Sequence, residues 1–275
     1  MFAVGGGYSA EGAAVRRGGG AEVHNRGVNA RFLAPDARAT GDLVALPDDE
    51  AQHIVRVLRL AAGAAVRVFD GHGHEFDAVI EVAGKPGVTV RVGAPRAAAP
   101  EARLALTLAP AVLKGDKMDD VVRDAVMMGV AAIQPIVTER TEVSLAVLER
   151  GGRQARWQRI AVSSAKQCGR AVVPVVAAPI AFEALLEAVK ALTMPGPALL
   201  LAEPAAAREA VSLTELASVA PREATLVVGP EGGWTPAEID RADVCRLVTL
   251  GGRTLRADAA PMVAIAALFA VWKEY

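Results

Sequence analysis

The sequence predicts an α/β protein, with a mostly parallel sheet in its C-terminal part and a smaller β-rich domain before it. Three observations carry this expectation. From about residue 103, short apolar runs alternate with amphipathic helical stretches, the pattern of strands buried on both faces. Between residues 30 and 98, apolar residues alternate singly with polar ones, as in half-buried strands. Hydrophobic residues make up 52% of the 275 and charged residues 22%, which supplies a sizeable core and excludes global disorder.

Residues 1–29 read as a disordered tail, because eight of these positions are glycine and large apolar residues are few. No apolar stretch follows a basic start, so the segment lacks the pattern of a secretory signal. In the domain at 30–98, Leu43–Leu46 is a short strand. Asp48 then caps a helix expected to place Ile54, Val57 and Leu58 on one face. Val66 and Val68 mark a strand, Asp70-Gly71 a turn, and Phe76, Ala78 and Ile80 the returning strand. Val88, Val90 and Val92 mark a third. The alanine-rich stretch from Pro95 to Pro100 reads as a linker.

In the domain at 103–275, Leu104–Leu108 is a strand. Residues 116–128 form a helix with Met118, Val121, Val122 and Ala125 on one face, ended by Gly129. Ala132–Val137 is a strand, and Arg153–Cys168 a helix ended by Gly169. Leu199–Ala202, Leu226–Val228 and Leu247–Leu250 suit buried parallel strands. A last helix runs from about Pro261 to Trp272.

Thirty basic residues against 31 acidic give a net charge of −1, which excludes a uniformly basic nucleic-acid binder but not a local patch. No uncharged run reaches the roughly 18–20 residues of a membrane helix. Cys168 and Cys245 match no metal-ligand spacing and read as reduced thiols of a cytosolic protein. Gly71-His72-Gly73-His74 reads as a hairpin tip rather than a metal site, since no further ligands stand nearby in sequence.

Three segments, each read as following a predicted strand, draw attention, the third being Ser164–Arg170. Ligands of open α/β sheets bind beyond the carboxyl ends of the strands. Gly229-Pro230-Glu231-Gly232-Gly233 lets the backbone bend close to a ligand. Thr235, Pro236 and Glu238 then open a helix with a capping box. The ordinary alternative is a plain strand–turn–helix connection. Leu250-Gly251-Gly252-Arg253-Thr254-Leu255-Arg256 exposes backbone groups that suit an adenine edge, with Arg256 placed to hold an anion; the alternative is a solvated loop. From Glu139 to Arg170 there are seven basic and three acidic residues, +4 in a chain of net −1. That is either the footprint of a polyanion or a solvated helix face.

Taken together, these pieces resemble the RsmE family of ribosomal RNA methyltransferases in the SPOUT superfamily. The resemblance runs over residues 30–273, in order. It begins with Arg31-Phe32-Leu33, His53-Ile54-Val55-Arg56-Val57-Leu58-Arg59 and Phe69-Asp70-Gly71. Lys114-Gly115-Asp116-Lys117-Met118-Asp119 and Gln167-Cys168-Gly169-Arg170 follow. Gly229–Gly233 and Leu255-Arg256 complete it. The resemblance implies an N-terminal PUA-like β-barrel that binds RNA and a trefoil-knotted methyltransferase domain. It also implies S-adenosyl-L-methionine as cofactor, a cytoplasmic homodimer, and methylation of N3 of one uridine in 16S rRNA of the small ribosomal subunit. Leu201, Gly229, Pro230, Glu231, Gly232, Gly233, Leu250, Gly251, Leu255 and Arg256 would then form the cofactor pocket. Arg31, His53, Arg56, Arg59, Lys114, Lys117 and Arg170 would meet RNA. Three segments depart from the family pattern: Met127-Met128 replaces Glu-Leu, Lys166 replaces Glu, and Asp258-Ala259 replaces Glu-Thr.

The implied chemistry needs orientation, a proton acceptor and a cation, but no metal. Nitrogen, methyl and sulfur must align. Uracil N3 must lose its proton, and Glu231 is the candidate base. Charge developing on the base oxygens needs a cation, for which Arg256 and Arg170 are candidates. Other readings are a related methyltransferase acting on a ribose 2′-OH or another base, and an RNA-binding homologue without turnover.

Overall fold

Single alternation in the first domain produces five strands whose apolar side chains face one core. A computed structural model describes residues 30–85, 87–194, 196–204, 210–216 and 220–274; the expected tail at 1–29 lies outside them. The strands are β1 (Arg31–Leu33), β2 (Leu43–Ala45), β3 (Ala65–Phe69), β4 (Glu75–Gly84) and β5 (Gly87–Arg96), in the order β1-β3-β4-β5-β2. β1 runs parallel to β3 and the other pairs are antiparallel. Phe32, Val44, Val66, Val68, Phe76, Ile80, Val88 and Val90 fill the core.

Two expectations for this domain need correction. The helix α1 (Asp48–Gln52) starts as expected, although Pro47 rather than Asp48 stands at its cap. It then widens into a π-helical turn, His53–Leu58, which ends at Arg59 in the left-handed region (φ 54°). A π-turn bonds i to i+5, so side chains spaced for 3.6 residues per turn no longer share a face. Ile54 is buried, Leu58 is half-buried and Val57 is exposed. Second, β5 runs on through Pro95 to Arg96, into the expected linker. Pro95 stands opposite Phe76 of β4, while β2 pairs only with Thr89–Arg91. The outer side of Pro95 therefore has no ladder to supply, and its missing N–H costs nothing there.

The second domain has a seven-stranded sheet. Its strands are β6 (Ala105–Pro110), β7 (Ala132–Ile133), β9 (Val175–Val176), β11 (Ala198–Leu201), β12 (Val211–Ser212), β13 (Glu223–Val228) and β14 (Arg246–Thr249). Their order is β12-β14-β11-β13-β6-β7-β9, all parallel. The strand expected at 132–137 is split at Gln134-Pro135. Its second half, β8 (Ile136–Val137), leaves the sheet and pairs with β10 (Ile180–Ala181). Helices cover both faces. Leu199 and Leu201 point to one side, with α2 (Lys117–Met128), α4 (Arg153–Cys168) and α7 (Ala260–Val271). Ala198 and Leu200 point to the other, with α5 (Phe182–Lys190) and Trp234. The short α3 (Leu145–Arg150) packs on α4, and α6 (Pro236–Arg241) follows the glycine-rich loop. No described helix is long and apolar enough to cross a membrane.

α2 and α4 match the sequence expectation closely. Met118, Val121, Val122 and Ala125 are all buried. Gly129 and Gly169 end the two helices at φ 101° and 87°, a conformation that glycine adopts without strain.

Candidate active site

The adjacent strands β14, β11 and β13 end side by side, and the loops beyond them enclose a pocket of about 250 Å³. It lies where open α/β sheets bind ligands. Leu201, Gly229, Pro230, Glu231, Gly232, Gly233, Leu250, Gly251 and Leu255 all line it, so the structure brings together nine of the ten residues assigned to a cofactor. Arg256 is the tenth. Its neighbours Leu255 and Ala257 are on the wall, but its own side chain is 75% exposed and is gripped by Asp258 at 3.1 and 2.9 Å.

The glycine-rich loop is built around Trp234. The indole is buried against Phe182, with ring centroids 4.9 Å apart, and its Nε1 donates to the Leu201 carbonyl at 2.9 Å. A Cβ on Gly229 would stand 2.9 Å from this ring. Gly233 has φ 70°, and a Cβ there would fall 2.0 Å from the Glu203 carboxylate, which accepts the Trp234 N–H at 3.1 Å. Arg140 donates to the Gly232 and Trp234 carbonyls at 2.7 and 3.2 Å. Beyond the loop, Thr235 and Glu238 form the expected capping box, with Pro236 in the first turn.

Glu231 faces the N-terminus of α2. Its Oε1 accepts from the Lys117 ammonium at 3.0 Å and from the Lys114 N–H at 3.3 Å. Burial pushes its carboxyl up, but the Lys117 ammonium and the backbone N–H groups outweigh this and hold it below the usual range. Lys114 itself pairs with Glu142 at 3.0 Å. Asp258 is also held low: burial raises it, while the Arg256 guanidinium, its own N–H and Lys117 lower it.

Two other assigned residues belong elsewhere. Arg170 is buried; it bonds the Glu101 carboxylate and donates to the Val126 and Val130 carbonyls at 2.7 and 3.1 Å. None of these partners lines the pocket. Four of its five N–H donors are used and the side chain is buried away from the pocket, which corrects its assignment to catalysis and to RNA. Arg31 is likewise committed. It bonds Glu75 at 2.8 and 3.2 Å, and its two terminal nitrogens donate to the carbonyls of Ala165, Lys166, Gly169 and Arg170 at 2.9–3.3 Å. It lies 4.8 Å from the Phe69 ring centroid. Arg31 thus caps the C-terminus of α4 from the other domain, where a helix runs out of N–H groups for its last carbonyls and its dipole favours a cation.

The rest of that junction follows the same logic. Lys166 bonds the buried Glu50 at 2.6 Å and stands 5.1 Å from the Phe32 ring centroid. At the β3–β4 tip, Gly71 bridges to Val172, and the Val173 N–H donates to the Gly71 carbonyl at 2.9 Å. Asp70 holds the tip through the N–H groups of His72 and His74 at 2.7 and 3.0 Å. Of the basic run from 139 to 170, Arg140, Lys166 and Arg170 are committed as above, and Arg156 pairs with Asp116 and Asp119. Among the described residues, Arg150, Arg153 and Arg159 form no ion pair. On the first domain, His53, Arg56 and Arg59 are exposed on the π-turn. Glu203, Trp234 and Arg253 line the pocket without having been assigned to it. Arg253 stands inside one motif and Trp234 directly follows the other, whereas Glu203 is signalled only by its place just after an apolar strand.

The pocket suits a cationic, partly apolar ligand. Leucines and glycine backbone form its walls, and the carboxylates of Glu203 and Glu231 reach its lining. Sheet, loop pocket and small β-domain together define an RNA methyltransferase with a PUA domain: a sequence model of the former matches residues 100–269, and one of the latter residues 46–93. Ribosomal RNA small subunit methyltransferase E of Synechocystis sp. is 33% identical over 232 residues, covering 83% of this chain and 73% of that protein. The chain belongs to the ribosomal RNA small subunit methyltransferase E family. The crystal structure of the Neisseria gonorrhoeae member, bound to S-adenosyl methionine, superposes with a TM-score of 0.77 at 33% identity, covering 88% of this chain and 97% of that one. The Legionella pneumophila protein Lpg2936, solved with bound SAM, gives 0.79 at 29% identity over the same shares.

Proposed function

We propose that this protein methylates N3 of a uridine in 16S rRNA of the small ribosomal subunit, with S-adenosyl-L-methionine as donor. The observation that carries the reading is the pocket at the ends of β11, β13 and β14, with two carboxylates on a glycine-rich lining. When bound, the cofactor supplies an already activated methyl group. Leu201, Leu250 and Leu255 would give its adenosine apolar walls, and the backbone at Gly229, Gly251 and their neighbours would offer N–H and C=O groups. Glu203 and Glu231 would face its cationic end. A carboxylate held charged by Lys117 accepts protons poorly. Glu231 is therefore assigned to anchoring the loop and favouring the cation, in place of the base role. Arg256, beside the pocket wall, is the candidate for steadying charge on the uracil oxygens.

His53, Arg56 and Arg59 on the π-turn and Lys114 near the mouth are the proposed RNA contacts, with Lys117 shared between RNA and Glu231. The chain divides at 98–103, where one sheet and core give way to the next. A trefoil knot, a homodimer and a cytoplasmic location complete the reading, on the strength of the family. Mass spectrometry of rRNA nucleosides tests it: deletion of the gene should abolish N3-methyluridine in 16S rRNA, and persistence of the mark would refute it. Arg256→Ala should slow single-turnover methyl transfer by at least about tenfold. An unchanged rate would reject that role.

A further inference from the structure

The charged groups around the pocket pair off. Lys117 holds Glu231, Lys114 holds Glu142, Asp258 grips Arg256, and Arg140 is bound to the loop's carbonyls. Arg253 is the exception. It is the only basic residue on the described lining, its side chain is exposed, and among the described residues it has neither an ion pair nor a hydrogen-bond partner. The approach to it is clear. Gly251 and Gly252 separate it from Leu250, and a Cβ on either would meet nothing within 4 Å.

An unpaired guanidinium on a wall that also carries Glu203 and Glu231 has no structural task to explain it. The loop is not held through it, and it caps no carbonyl. Its planar fork matches the two oxygens of a carboxylate or phosphate. We propose that Arg253 is the oxyanion-binding residue of this pocket, reserved for an anionic group that enters from solvent. The inference rests on the proposed function, which offers two sources of that oxyanion: the carboxylate at the methionine end of the cofactor, or a phosphate of the RNA strand beside the target uridine.

The test uses the full chain with Arg253→Gln and Arg253→Lys. Calorimetry compares S-adenosylmethionine with 5′-methylthioadenosine, which keeps the adenosine and the S-methyl group but lacks the sulfonium charge and the amino-acid end with its carboxylate. Binding of a 16S rRNA fragment is measured across a salt series. If the cofactor's carboxylate is the partner, the Gln variant should lose about tenfold in S-adenosylmethionine affinity, as for a lost charged hydrogen bond. Affinity for methylthioadenosine should then stay within about twofold, and the Lys variant should recover part of the loss. If a phosphate is the partner, cofactor affinity should hold. RNA affinity should instead drop about tenfold, with the log–log salt slope shallower by about 0.7–0.9.

Two results would overturn the inference. One is a Gln variant whose cofactor and RNA affinities are both unchanged; the other is equal loss for both adenosine ligands, which marks a collapsed pocket. Wild-type protein is measured first. If it binds no S-adenosylmethionine, the proposed function falls and this inference with it. Normal wild-type binding with an unaffected variant rejects the role of Arg253 alone.

Discussion

Arg31 and Arg256 are both held by two hydrogen bonds to one carboxylate, and both stand in motifs shared with the family. Arg31 is 9% exposed and also donates to four carbonyls of α4's last turns and the residues beyond. Arg256 is 75% exposed, and among the described residues Asp258 is the one partner of its guanidinium. The same contrast separates the domain junction from the pocket mouth. At the junction, the side chains of Arg31, Glu75, Glu50 and Arg170 are buried and most of their bonding capacity is used. At the mouth, Lys117 and Glu231 remain over a third exposed, and Arg253 is unpaired among the described residues. Charge in a nucleic-acid-modifying protein therefore signals contact with its ligand only where the fold has left that charge free.

Breaking the junction should have the largest effect. Arg31→Ala leaves the Glu75 carboxylate buried without its cation and takes one donor from each of four carbonyls. Removing one partner of a buried pair typically costs about 3–5 kcal/mol. Chemical denaturation should show a loss of that size, with S-adenosylmethionine affinity of the folded variant within about twofold of wild type. A stability change below about 1 kcal/mol would mean that the junction contributes little and that the contrast with the mouth is false.

The pocket should respond in the opposite sense. Gly233→Ala puts a Cβ where Glu203 now sits and a side chain at φ 70°. Strain of this kind costs about 1–3 kcal/mol. It should appear chiefly as a cofactor affinity at least about tenfold weaker, because relief requires Glu203 and the loop to move. Calorimetry measures the affinity, and thermal unfolding measures the rest. An unaltered affinity would show that the loop's close packing is not what shapes the site.

Local signals were readable and distant partners were not. Gly129 and Gly169 marked the ends of α2 and α4, and the capping box marked the start of α6, because these devices act within a few residues. The pocket was legible for a related reason: its walls are the segments that directly follow apolar strands. The roles of Arg31 and Arg170 were not, since their carboxylates lie 44 and 69 residues away in sequence. A motif shows that a residue type is needed, and only burial shows for what. The π-turn escaped because its residues fit a helical period until the wider winding turned Val57 outward. The strand at 132–137 broke because Pro135 supplies no N–H to a ladder.

The smallest expected effect lies in the Lys117–Glu231 pair, and it sharpens the contrast through pH. Glu231 titrates below its ordinary value of 4.5 because Lys117 and two backbone N–H groups outweigh the cost of its burial. A carboxyl lowered in the folded state adds stability above its unfolded value, and that stability is lost as pH falls through the folded value. Lys117→Met removes most of this contribution, which for a partly exposed pair is below about 1 kcal/mol. Thermal unfolding should therefore find the variant slightly less stable at pH 7, with the difference shrinking as pH drops from 4.5 through the acid range. A gap that stays constant across that range would assign the loss to side-chain packing of Lys117. In that case the mouth would be held by apolar packing of the Lys117 stem, and the Lys117–Glu231 charge pair would contribute nothing to it.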